Sequence, residues 1–211
     1  MTLRSPIAVP LGAGEAADSG RFGPKAANLS ALARAGLPTP GGTCIDAEAY
    51  RTQLEHLGLA AAAREAASAG PSRARRCALD VRLGLFQRSV APPLLEALLA
   101  AWNALGGAPA AVRSSALAED REGSSFAGQF QSYLWIETEA DFLTAVRACW
   151  AALWSVRALR YMASRGLDPA AMAMAILVQP LVAARVSGGG LSRTASGEML
   201  LSAAPGLGSA I

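Results

Sequence analysis

The sequence predicts an α/β chain of the α+β kind, with helices mainly in its first half and a mixed sheet assembled mainly in its second. Three observations predict it. Residues 59–105 carry a 3.6-residue apolar period with little interruption, clearest in Leu94, Leu95, Leu98, Leu99, Trp102 and Leu105. After Gly106-Gly107 the texture changes to short apolar runs separated by glycine and polar residues. Of the 211 residues, 52% are hydrophobic and 17% charged, which is enough to bury a sizeable core and far from the composition of a disordered chain.

The elements follow in order. Ile7-Ala8-Val9 is strand-like. Pro24 suits the first turn of a helix whose face is Leu29, Leu32 and Ala33 and which Gly36 ends, so Lys25 stands at a helix N-terminus. Thr43-Cys44-Ile45 makes a short strand, and Asp46 is a good N-cap for a helix running to Gly58. Gly70-Pro71 and Pro92-Pro93 punctuate the helical stretch that comes next. Ala111-Val112-Arg113 reads as a short strand, 114–125 as a polar loop, and 126–136 as an alternating strand or hairpin with a glycine inside it. Thr138 and Asp141 resemble a capping box that opens one long helix through Phe142, Val146, Trp150, Leu153 and Arg157 to Gly166. Residues 174–182 form a buried strand, Ser187-Gly188-Gly189-Gly190 a flexible turn, and 199–203 another strand. There is no internal repeat. The expected organisation is a single unit over 1–211, mostly helical to about 108 and sheet-rich over 109–211.

Composition excludes several classes of function. The mean hydropathy of +0.29 owes much to alanine. The best apolar stretch, 170–184, is broken by Gln179 and Pro180 and is shorter than the ~20 residues a bilayer needs, so no membrane span is expected. Pro6, Pro10, Gly12 and Gly14 interrupt any secretory apolar segment, and a cytoplasmic location is expected. The net charge of +3 comes from dispersed arginines. Only Arg73, Arg75 and Arg76 cluster, which suits a solvated helix face better than a nucleic-acid surface. Cys44, Cys77 and Cys149 lie too far apart for a CxxC pair or a zinc set and read as buried thiols. His56, the single histidine, shares a helix with Tyr50, Leu54 and Leu57 and reads as a surface residue; any histidine-based triad would have to use it.

Three segments carry groups suited to polyphosphate. A helix N-terminus repels an ammonium unless an anion lies between them, which makes Lys25 conspicuous. It is also the single lysine among 19 Lys and Arg, a compact charge in a chain that otherwise uses arginine. Arg113 offers a planar fork for two phosphate oxygens, and the small side chains of Ser114 and Ser115 leave room for a ligand. The loop Ser124-Ser125-Phe126-Ala127-Gly128-Gln129 can lay backbone N–H groups against phosphate. Taken singly, Lys25 and Arg113 serve equally well as surface charges and Gly128 as a hairpin glycine; their order and spacing carry the case.

The segments GPKAANLSALARAGLPTPGGTCIDAEAYR, AVRSSALAED, SSFAGQFQSYL, MAILVQPLV and GLG, in this order, resemble the N-terminal ATP-binding domain of phosphoenolpyruvate synthase, pyruvate phosphate dikinase and rifampin phosphotransferase. The resemblance runs through nearly the whole chain. It implies an ATP-grasp-like nucleotide-binding lobe that passes the β-phosphate of ATP to a histidine on a separate swivelling domain, and from there to pyruvate or another small acceptor. It also implies that Lys25 and Arg113 contact ATP phosphates, that Gly128 and its loop cover them, that Ser132 stands where the family usually has threonine, and that Gln179 lines the nucleotide pocket.

There are departures from the family pattern. Gly-Gly-Lys has become Gly23-Pro24-Lys25, which removes one backbone donor. The acidic residue common after the loop is Gln131, and SGVxFT is replaced by Ser187-Gly188-Gly189-Gly190-Leu191-Ser192. After Asp168 the only acidic residue is Glu198, so no carboxylate pair for the magnesium of the complete family enzyme is found there; Glu119, Asp120 and Glu122 read as solvated loop charges. The expectation is an ATP-binding portion of a dikinase-type phosphotransferase, incomplete on its C-terminal side, exposing apolar surface near 199–203 and not cleaving ATP alone. Its expected partner is a polypeptide carrying the second lobe and the histidine domain. The alternative is a non-catalytic nucleotide- or protein-binding module built on the same fold.

Overall fold

A computed structural model of the chain describes residues 6–117 and 130–207. The chain divides into two units, residues 1–180 and 181–211. In the first unit the strands are β1 (Ala8–Pro10), β2 (Thr43–Ile45), β3 (Ala110–Ala116), β4 (Ser132–Ile136) and β5 (Met174–Pro180). They lie in the order β1-β2-β5-β3-β4. The mixed sheet expected from the sequence is corrected: every described pairing is antiparallel, because β5 enters between β2 and β3 and runs opposite to both. The sheet also draws two strands from the first half of the chain.

Helices α1 (Ser19–Arg34), α2 (Ala47–His56), α3 (Ala60–Ser68), α4 (Pro71–Gln87), α5 (Pro92–Asn103), α6 (Glu139–Ala152) and α7 (Val156–Ser164) belong to the same unit. Alternation along the strands divides them between two faces. Ile45, Val112, Ile176 and Val178 meet Tyr50, Leu85, Leu98, Phe142, Val146 and Trp150 in the main core. Val9, Cys44 and Leu177 point the other way and meet Phe22 and Ala26 of α1. Covered on both faces, β5 is buried from Met174 through Gln179, which is why it reads as a continuous apolar run. Each fully buried large aliphatic or phenyl side chain, such as Leu98 or Phe142, contributes about 1.5–3 kcal/mol.

Local signals set most helix ends. The Asp46 carboxylate accepts from the Glu48 N–H at 2.9 Å and caps α2. Thr138 Oγ1 accepts from the Asp141 N–H at 3.1 Å and donates to Asp141 Oδ2 at 2.8 Å, capping α6. The single long helix expected from Thr138 to Gly166 is instead two. Ser155 takes an extended conformation and its Oγ accepts from the Ala158 N–H at 3.2 Å, so a second N-cap interrupts the run. Residues 139–164 are long and apolar enough for a membrane span by composition, but Phe142, Val146, Cys149 and Trp150 spend that apolarity on the core. The strand expected over 111–113 extends through Ala116, taking in Ser114 and Ser115, which the sequence assigned to a loop.

The second unit is a hairpin of β6 (Val186–Leu191) and β7 (Leu200–Pro205), paired antiparallel. Its glycine triplet is strand, where the sequence suggested a turn. A Cβ on Gly188 or Gly190 would lie 2.4 Å from the Ser202 carbonyl or 2.7 Å from that of Leu200, so glycine here serves close strand approach. Met199, Leu200 and Leu201 are exposed, Leu201 to 74%, in the region where exposed apolar surface was expected.

Candidate functional site

The site is built where α1 meets β3. Gly23 has φ 73° and ψ 166°, a conformation open in practice to glycine alone, and it breaks α1 in two. A Cβ at this position would lie 2.3 Å from Ser115 Oγ and 2.5 Å from the Ser115 carbonyl oxygen. The break makes Pro24 the first residue and Lys25 the second of the helix that continues to Arg34, as the sequence predicts. The turn before it is tied down. Asp18 accepts from the Gly20 N–H, Arg21 Nε donates to Asp46 Oδ2 at 2.7 Å, and Arg21 Nη2 donates to the Pro6 carbonyl at 3.0 Å. Asp46, legible in sequence as a cap, therefore also anchors α1; its pairing with Arg21 had no local signal.

Arg113 is half-buried in the middle of β3, opposite Leu177 on the face that α1 covers. Ser115, two residues along, shares that face. Ser114 points to the opposite face, beside Ile176 of the main core. The room that small side chains at 114 and 115 were expected to leave for a ligand is thus used otherwise: Gly23 fills it at Ser115, and Ser114 is buried. Among the described residues Ser115 Oγ is buried without a hydrogen-bond partner, a cost of the backbone approach above it.

Gln179 is 4% exposed and sits diagonally from Arg113 on the same face. Its Oε1 accepts from Arg113 Nη1 at 3.4 Å, and its Nε2 donates to the Gly41 carbonyl at 3.0 Å. Gly41 and Gly42 both have positive φ, and a Cβ on Gly42 would lie 2.2 Å from the Val178 carbonyl. This turn had a local signal in the sequence, the Gly41-Gly42 dipeptide after Pro38 and Pro40, but its contact with Gln179 had none. Ser132 opens β4 directly opposite Arg113 and is exposed. Gly128, with Glu119, Asp120 and Glu122, lies outside the described residues.

Electrostatically, burial pushes the Cys149 thiol on α6 up to about 12, while the Lys25 ammonium acts on it in the opposite sense. Among the described residues no three of His, Cys, Asp and Glu converge. His56 is exposed on α2. A groove of about 840 Å³ between α4, α6 and β4 is lined by Leu79, Leu83, Phe86, Tyr133 and Ala148 and includes none of the predicted site residues.

Residues 19–211 match the family described as the pyruvate phosphate dikinase AMP/ATP-binding domain. The chain is 36% identical over 177 residues to a phosphoenolpyruvate synthase of Aeropyrum pernix, covering 79% of this chain and 22% of that one. It is 34% identical over 183 residues to the prodigiosin synthesizing transferase PigC of Serratia marcescens, covering 86% and 19%. With a rifampicin phosphotransferase of Streptomyces sviceus it shares 34% identity over 172 residues, covering 79% and 20%. The chain spans about a fifth of the length of these curated relatives.

Proposed function

Because the chain belongs to the pyruvate phosphate dikinase AMP/ATP-binding domain family, we propose that it binds ATP with the triphosphate held between Lys25 and Arg113. The observation that carries this reading is that Gly23-Pro24-Lys25 and Arg113, 88 residues apart in sequence order, are joined through the Gly23 seat on Ser115 and share one sheet face. Lys25 supplies a compact charge beside the amides of a helix start, and Arg113 a fork for two oxygens. Together they neutralise charge on the phosphates, which is the larger part of what a protein contributes to phosphoryl transfer. Ser132, opposite Arg113, adds a hydroxyl at the edge of the same site.

The finer reading is that this lobe serves a dikinase-type phosphotransferase. The phosphoryl group then passes to a histidine carrier and on to pyruvate or another small acceptor held by other parts of a longer protein or by a partner polypeptide. Support for it comes from the phosphotransferase and synthase relatives, which are about five times longer than the aligned segment. The test is calorimetric titration with ATP, with and without magnesium. Charge-assisted phosphate contacts are worth about 1.5–3 kcal/mol, so Lys25→Ala and Arg113→Ala should each weaken binding about tenfold or more. ATP affinity unchanged in both variants would overturn the assignment.

A further inference from the structure

We propose that Gln179 is a positioning residue that aims Arg113, acting through that guanidinium. The inference rests on the reading of Arg113 as a phosphate contact. Its basis is that both ends of the Gln179 amide are engaged within the protein: Oε1 receives Arg113 Nη1, and Nε2 is held by the Gly41 carbonyl. Buried to 4% exposure, this amide has no freedom to turn without leaving a polar atom unpaired.

The anchor itself is rigid. Gly41 and Gly42 take φ 73° and 120°, and Gly42 lies so close to β5 that its missing side chain would strike the Val178 carbonyl and Gln179 Cα. The Gly41 carbonyl is thereby held against the Gln179 side chain. A tether therefore runs from the glycine turn through Gln179 to Arg113, across β5 and onto β3. Without it, a half-buried arginine has rotamer freedom to lose each time it grips an anion, and binding weakens by that amount. In this arrangement Gln179 serves every polyphosphate that Arg113 grips, whatever base or sugar is attached.

The experiment is a double-mutant cycle by calorimetry, using ATP and inorganic tripolyphosphate on wild type, Gln179→Leu, Arg113→Ala and the double variant. Gln179→Leu should weaken both ligands by the same factor, about tenfold, and add nothing in the Arg113→Ala background. A loss confined to ATP would mean that Gln179 touches the nucleoside, and an additive loss would mean that it acts apart from Arg113; either overturns the proposal. If wild type binds neither ligand, the functional reading fails, and NMR of the Arg113 side chain decides this one separately. There, increased Nε–H mobility in Gln179→Leu supports the tether and unchanged order refutes it. Should Gln179→Leu fail to fold, Gln179→Asn, one methylene short of spanning both partners, takes its place in the same measurements.

Discussion

Replacing Gly23 by alanine imposes two costs that other glycines of this chain separate. The first is conformational: φ 73° with ψ 166° is costly for any residue with a Cβ, on the order of 1–3 kcal/mol. The second is steric. The new methyl would sit 2.3 Å from Ser115 Oγ and 2.5 Å from the Ser115 carbonyl oxygen, and the latter is backbone of the central sheet and cannot rotate away. Relieving such overlap costs about 1–3 kcal/mol more. The sum, about 2–6 kcal/mol, corresponds to a fall in Tm of about 4–24 °C for a chain of this size. Gly36→Ala is the control for strain alone, since Gly36 has φ 77° with nothing within 4 Å of the added atom; it should cost about 1–2 kcal/mol. Gly14→Ala, with neither positive φ nor a close neighbour, should cost nothing measurable. Urea unfolding and tripolyphosphate titration of the three variants provide the assay. Gly23→Ala alone should lose both stability and affinity, because relief of the clash lifts Lys25 away from β3. If Gly23→Ala proved as stable as Gly36→Ala, the seat of α1 on Ser115 would be wrong.

Two further predictions concern the core. Trp154 Nε1 donates to Tyr50 Oη at 2.8 Å in a buried pair, so Tyr50→Phe should orphan that donor and lower stability by about 1–3 kcal/mol in urea unfolding, whereas no change would mean the indole finds another partner. Burial pushes the thiols of Cys44 and Cys149 from 9.0 up to about 12. Between these values the unfolded chain has lost protons that the folded chain keeps, so the stabilisation is full below pH 9 and falls by about 1.4 kcal/mol per pH unit for each thiol as pH rises toward 12. Unfolding midpoints at pH 8 and pH 10 should therefore diverge less in a Cys44→Ala/Cys149→Ala variant than in wild type, and equal divergence would refute the assignment.

What the sequence determined by itself is what interactions over a few residues control. Asp46 and Thr138 cap helices two and three residues ahead of themselves, Pro71 and Pro92 start helices, and Pro24-Lys25 opens one, because each of these acts within a single turn. Apolar periodicity likewise marked the buried face of α5 at Leu94 and Leu98, but not that of α1, where Leu32 is exposed and Phe22 and Ala26 are buried instead. The order of the phosphate-suited segments was legible for the same reason: each is a local pattern. Only the tertiary structure decided that β5 inserts between β2 and β3 and makes the sheet antiparallel, that Gly23 occupies the space over Ser115, and that the glycine triplet is strand. It also decided that Gln179 bridges partners 66 and 138 residues away. These contacts depend on which strands become neighbours, and strand pairing is settled by hydrogen bonds and burial between distant segments, for which a backbone amide carries no sequence mark.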